Sequence, residues 1–346
     1  MKMNKFFLGL AITSVSALTG CLKNNEINHP DTAYQTVYFG TQFPIRTVEL
    51  GEDLLIDNTL DNQRKVLLNA TTGGVRENSK DILLNFSVDT SLSTRLFFPS
   101  NKGGRKILPL PANYYQLASN QINIPKGSFL GGVELQLTDA FFEDPLALDN
   151  NYALPVVLKG VKGVDSILKG TASVVNPNRS IDAHWVVKPR DFVIYALKYV
   201  NSWHGNYLRR GADVITGSVN QTVVRHKQYV ESDEVNKLTT VSLSKLNFPV
   251  VFKNATGTNV NCTLQLSFDA SGNCSITSIT AGVTASGSGK FVKKGEKNSW
   301  GSKDRDALYL NYNVDLTSNN MQVTSTDTLV MRDRAVALET FTPVFK

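Results

Sequence analysis

What most limits the folds open to this chain is the brevity of its apolar runs. From Tyr34 onward they last about five to nine residues, as at 36–40, 47–51, 54–58, 65–70 and 81–89, and stretches rich in Gly, Asn and Asp separate them. Runs that short, without a sustained helical repeat, read as strands joined by polar turns. One piece with helical spacing, residues 139–150, is about a turn long and is broken at Pro145. Strand signal continues through 110–138, 151–159 and 171–176, and turns at intervals of about eight to twelve residues are those of a sandwich. Residues 34–188 are therefore read as one β-sandwich domain.

Residues 191–211 act as a hinge, and a second series of strands follows it. The segments 207–218, 222–230, 237–252, 262–268 and 274–279 come first, then 289–293, 307–316, 321–330 and 336–345. An uninterrupted meander of eight or nine strands can close on itself and remove its edges. The expectation for residues 189–346 is a lipocalin-like barrel, with a second, open β-sandwich as the alternative. A length of 346 residues, 41% hydrophobic and 19% charged, is enough for two cores in an all-β chain.

Residues 1–20 have a basic start at Lys2 and Lys5, an apolar stretch from Phe6 to Leu18, and small residues before Cys21. That is the pattern of a secretory signal, too short to span a bilayer. Leu18-Thr19-Gly20-Cys21 resembles a bacterial lipobox, which implies that Cys21 becomes an acylated first residue. Residues 21–33 are polar and read as a tether, so the membrane is an expected partner through the lipid. The formal charge of +6 falls to +4 once Lys2 and Lys5 leave with the signal. A balance so small and dispersed argues against a nucleic-acid partner.

Cys262 and Cys274 flank a hairpin whose turn lies near 270–273, which sets Cys274 opposite a residue near Phe268. An offset of about 20 Å along the strand exceeds the ~7 Å Cα separation that a disulfide bridges, so two unpaired, buried thiols are predicted.

Three stretches of the first domain, Leu110-Pro111-Ala112-Asn113-Tyr114-Tyr115, Ile122-Asn123-Ile124-Pro125-Lys126-Gly127-Ser128 and Tyr152-Ala153-Leu154-Pro155-Val156, resemble the N-terminal module of a Bacteroidetes lipoprotein family of unknown function. Residues 198–211 and 326–344 resemble the entry and exit of one of its C-terminal partner domains. The resemblance implies an immunoglobulin-like sandwich before a calycin-like barrel. It further implies an outer-membrane, lipid-anchored protein facing the cell exterior, with glycan-processing or glycan-binding relatives and an outer-membrane transport partner of the TonB-dependent kind.

No catalytic constellation accompanies it. A Gly-x-Ser-x-Gly elbow, a His-Glu-x-x-His site and a phosphate-cradling loop are all missing from the sequence. The four His residues lie too far apart for an evident metal site, and no cofactor is expected. Glu143/Asp144 and Asp304/Asp306 are weighed as a glycosidase pair and read instead as solvated turn acids. The leading expectation is a non-enzymatic glycan-capturing protein; a protein-interaction subunit is the alternative.

Candidate glycan contacts follow from aromatic rings beside polar groups. Trp300 stands in a polar loop with Lys297, Asn298 and Asp304, either as a sugar platform or folded back to cap the barrel end. Trp203 and Tyr207 form a second cluster at the hinge, where Trp203 is a barrel plug or a second ring for a ligand. Arg209 and Arg210 alternate across their strand, so only one faces the lumen.

Overall fold

The computed structural model describes residues 34–346. The signal, Cys21 and the tether lie outside the described residues. The chain is all-β, an immunoglobulin-like sandwich followed by a closed eight-stranded antiparallel barrel.

In the sandwich, hydrogen bonding runs from Thr36–Tyr38 through Lys65–Gly73, Leu130–Leu137, Gln121–Ile124 and Ile82–Val88 to Tyr152–Lys162, Phe192–Val200 and Pro44–Glu49. Most of these strands alternate. Lys65–Gly73 turns Val66, Leu68, Ala70 and Thr72 inward and leaves the residues between them partly or fully exposed, as the two-residue period of a strand requires. Tyr152–Lys162 and Phe192–Val200 differ, because both of their faces are covered. Leu154, Val156, Leu197 and Tyr199 enter the main core, while Ala153, Val157, Phe192 and Ile194 enter a second cluster with Phe98 and Phe341. Burial on both faces is why these two strands read as nearly unbroken apolar runs.

Three expectations need correction. Phe192–Val200 belongs to the sandwich, pairing antiparallel with Tyr152–Lys162 and parallel with Pro44–Glu49, where Ala196 faces Ile45. The first domain therefore reaches Val200 rather than residue 188. The last expected barrel strand, 336–345, instead returns to the sandwich. Glu339–Thr340 pairs with Pro44 and Ile45, and Val344–Phe345 pairs with Leu96–Phe97. The expected strand 54–58 is instead a loop, exposed over 54–57 and anchored by the buried Asn58, with Asp53 accepting from Leu55 N (2.6 Å) and Asp57 from Thr59 N (3.0 Å).

The barrel strands are Gly205–Gly217, Glu234–Ser242, Lys245–Lys253, Asn259–Phe268, Asn273–Ser278, Thr284–Glu296, Arg305–Leu316 and Met321–Asp333, each paired with the next. The first closes on the last, with Arg209 opposite Leu329 and Gly217 opposite Met321. Gln221–Arg225 pairs with the distal half of Gly205–Gly217, whose proximal half pairs with Glu234–Ser242. Phe248, Leu264, Leu310 and Leu329 fill the interior. The cysteine hairpin has the expected register, Phe268 opposite Cys274, and both thiols are free and buried. Burial pushes the Cys274 thiol up to about 12.

Inside the barrel Arg209 is buried, its guanidinium donating to Asp327 Oδ2 and Tyr312 Oη at 3.1 Å each. Arg210, on the outer face, pairs with Asp233 at 2.7 Å. Arg225 reaches Asp213 and Asp327 from the flanking strand. Two guanidinium groups and two carboxylates thus neutralise one another within the wall, which is what permits their burial.

Candidate functional site

The two domains meet where the chain crosses from Val200 to Gly205. Asn201 fastens the crossing to the barrel, its amide donating to Ser242 O (2.8 Å) and Lys245 O (3.0 Å). His204 Nδ1 accepts from Thr240 N at 3.1 Å. Arg334, at the barrel's exit, donates to His204 O (2.8 Å), Asn201 O (2.7 Å), Leu50 O (2.8 Å) and Glu52 O (3.2 Å), so one guanidinium joins four carbonyls from both domains. Gly51 approaches so closely that a Cβ there would sit 2.8 Å from Ser202 Cα, and its φ of +92° is one that glycine adopts without strain. Leu243, at the tip of a barrel turn, packs against the sandwich core.

Beside this seam lies an open cleft of about 430 Å³. Glu52 and Asn62 come to it from the sandwich; Trp203, Phe291, Lys293 and Asp306 come from the barrel. The Trp203 indole is stacked on Phe268, with centroids 4.1 Å apart and planes 10° from parallel. One face of the ring is thus taken by Phe268, and Trp203, partly buried against the barrel core, also lines the cleft. Asp306 is held by Lys294 N at 2.7 Å, and Glu52 lies 3.8 Å from the Lys294 amine. Asn62 is fixed by a reciprocal pair of bonds to the Gly51 backbone, 2.8 and 2.9 Å. A half-buried aromatic ring framed by carboxylates, an amide and a lysine is suited to a ligand with one apolar face and a rim of hydroxyls.

Of the glycan contacts picked out in the sequence, the structure brings only Trp203 to this cleft; Asp306, weighed in the sequence with Asp304 as an acid pair, also lines it. Tyr207 is fully buried, its hydroxyl donating to Trp203 O at 2.8 Å, so it supports the tryptophan and has no face for a ligand. Trp300 folds back: its indole N–H donates to Met331 O (3.2 Å), and the buried Arg305 guanidinium covers its ring at 3.5 Å. Lys297 pairs with Asp304 at 2.9 Å, and Asn298 N donates to the same carboxylate at 3.0 Å. The bond from Lys297 holds the Asp304 carboxyl below its usual range. These residues spend their polar groups on closing the loop. Asp306 is buried rather than solvated, and Asp144 accepts from Tyr152 Oη (2.6 Å) and Tyr114 Oη (3.0 Å), which makes it a structural acid.

Sequence reasoning missed Glu52, Asn62, Phe291 and Lys293, and read Asp306 as a solvated turn acid. Glu52 and Asn62 belong to the other domain, and no local pattern announces that the docking brings them beside Trp203.

A solved structure from Bacteroides ovatus, of a protein of unknown function, is 46% identical and superposes with a TM-score of 0.86 over 90% of this chain and 99% of its own. The chain belongs to the family of that protein. Residues 202–335 match the model of a Domain of unknown function (DUF5627), and residues 32–165 match a model described as an N-terminal domain. The DUF5627 limits coincide with the crossing at Val200–Gly205 and with the return of the chain after Arg334. An auxiliary nutrient binding protein from Bacteroides thetaiotaomicron aligns over 85% of this chain and 95% of its own, at 11% identity and a TM-score of 0.37, a likeness too slight to carry an argument. No curated protein matches the chain.

Proposed function

We propose that this protein is a non-catalytic carbohydrate-binding protein that holds glycan in the cleft between its domains. The observation that carries the reading is the Trp203 indole, backed by Phe268 and framed by Glu52, Asn62, Lys293 and Asp306. Sugar rings present C–H faces to an aromatic plane and hydroxyls to the groups around it, and the cleft offers both. In this reading Cys21 anchors the chain by lipid in the outer membrane, facing the exterior, and the captured glycan passes to a TonB-dependent transport partner. The lipobox and the tether support the anchor; the family resemblance supports the partner.

Affinity electrophoresis of the full chain against a panel of polysaccharides and oligosaccharides tests it. Trp203→Ala is expected to weaken binding about tenfold, the cost of about 1.4 kcal/mol of stacking. Because Trp203 also packs on Phe268, the solvent-facing changes Lys293→Ala and Glu52→Gln are run beside it and are expected to weaken binding with the fold intact. Trp300→Ala is expected to leave binding unchanged. Binding that survives all three cleft changes would remove the cleft from the proposal.

A second reading, a subunit that builds a protein complex, has one observation in its favour. Val174, Val175, Val186 and Val187 are exposed around the small hairpin of Thr171–Ala172 and Trp185–Val187. Capture of a defined partner that is lost on Val175→Asp and Val187→Asp would support it.

A further inference from the structure

At the end of the barrel away from the cleft, the outward side chains of four adjacent strands line a recess of about 350 Å³. Cross-strand register arranges them in two parallel rows. Ser286, Asn313, Thr324 and Val214 are successive partners across the strands. Beside them Thr284, Asp315, Gln322 and Thr216 form the second row. The first row continues without a charge to Thr277 on one flank and Thr222 on the other. The row on its far side, Ser275, Ser288, Asn311 and Thr326, is uncharged as well.

An ordinary soluble surface is about 25–35% Lys, Arg, Glu and Asp, which over the fourteen positions just named would place about four charges where Asp315 stands alone. The exposed groups are instead hydroxyls and amides. Two of the amides are set in place: Thr324 Oγ1 donates to Asn313 Oδ1 at 2.8 Å, and Thr326 Oγ1 donates to Asn311 Oδ1 at 3.0 Å. The NH₂ groups of Asn311 and Asn313 have no hydrogen-bond partner among the described residues, and both side chains are exposed at the wall. The rows advance by one strand spacing, about 4.8 Å per position, a stride close to that of successive rings in an extended sugar chain.

We infer that this groove is a second binding site, separate from the cleft, for an extended, uncharged polysaccharide lying across the strands. The chemistry selects that class. An anionic polymer would find no cation along the rows, and a protein partner would need an exposed apolar anchor, for which the outward rows offer only Val214, since Val314 and Val323 of the lining are buried in the barrel core and Ala285 packs against it. A polyol exchanges its hydrogen bonds to water for bonds to aligned hydroxyls and amides, with no charge to desolvate. Ser286 in the groove and Lys293 at the cleft stand seven positions apart along the strand Thr284–Glu296, about 23 Å. A long chain engages both sites, whereas a short oligosaccharide reaches one.

The test is affinity electrophoresis of the full chain in gels containing a β-glucan, a mannan, a galactan or, as the acidic comparison, polygalacturonate, with mobility read relative to a polymer-free gel. At least one neutral polymer is expected to retard the wild type, and polygalacturonate is not. Ser286→Lys combined with Thr324→Lys is expected to weaken that retardation at least fivefold, and the milder Asn313→Ala to weaken it measurably, while trisaccharide binding at the cleft is unchanged. Lys293→Ala gives the opposite pattern, so failure at one site is distinguishable from failure at the other. Retardation by no neutral polymer, or retardation equal in the double variant and the wild type, overturns the inference. So does a wild-type dimer that the lysine pair dissociates without any effect of polymer, which would assign the groove to a second copy of the chain.

Discussion

Glu49 lies at the domain seam, 1% exposed, with its carboxylate 3.6 Å from the Arg334 guanidinium. Burial nevertheless outweighs that cation, with help from Asp53 and Asp61, and holds the carboxyl up at about 7, against an ordinary 4.5. The folded chain thus keeps a proton that the unfolded chain loses between about 4.5 and 7. This group's stabilising contribution is complete below that window and lost as pH rises through it. His204 works in the opposite sense. Burial and the nearby Arg334 depress it to about 3 from 6.5, so its contribution is complete above 6.5 and lost as pH falls towards 3. Between about 4.5 and 6.5 the two slopes cancel. Urea unfolding across pH 4–8 is expected to show Glu49→Gln gaining on the wild type by about 3 kcal/mol between pH 4.5 and 7, at 1.36 kcal/mol per pH unit. A constant difference across that range would show that Glu49 does not carry the proton.

Among the elements, the returning tail contradicts its own sequence most clearly. Its alternation reads as a barrel strand, but Phe341 is buried in the second sandwich cluster, 4.8 Å from Phe98 and 5.5 Å from Phe43 between ring centroids. Phe341→Ala is expected to destabilise the sandwich by about 3–5 kcal/mol, as removal of a packed aromatic does. Denaturant titration with the barrel intact as an internal reference would reveal it; a change below about 1 kcal/mol would mean that the tail is only laid on the surface. Other elements were legible. The cysteine hairpin declared its register through the Asp269–Asn273 turn, where Asp269 accepts from Ser271 N and Asn273 N. The turn at Leu243-Ser244 was not legible, because it has no Gly or Asn-Gly and carries a leucine at its tip. That leucine serves the other domain, a reason no period within the barrel contains. Phe192–Val200 was assigned to the wrong side of the boundary for a related reason: an apolar run says that a strand is buried, but not in which of two sheets.

Taken whole, the molecule is two domains joined by the crossing at Asn201, by Arg334 and its four carbonyls, by Leu243 packed on the sandwich core, by the Glu52–Lys294 pair and by the tail that returns to Leu96–Phe97. These ties set Glu52 and Asn62 beside Trp203, so the candidate cleft is a property of the docked pair and of neither domain alone. That explains the uneven legibility of the site. Trp203 was visible from its place beside His204 and Tyr207, while the residues around it come together only in three dimensions. The chain has three tryptophans, which makes one measurement especially direct. In an ¹⁵N-labelled protein the indole N–H groups of Trp185, Trp203 and Trp300 give three separate signals, assigned by replacing each tryptophan with Phe. On titration with the oligosaccharide that binds best, the Trp203 signal is expected to move in a saturable way while the Trp185 signal stays fixed. Saturable movement confined to Trp300 or Trp185, or binding that leaves Trp203 unmoved, would contradict the cleft as the place where this protein holds its ligand.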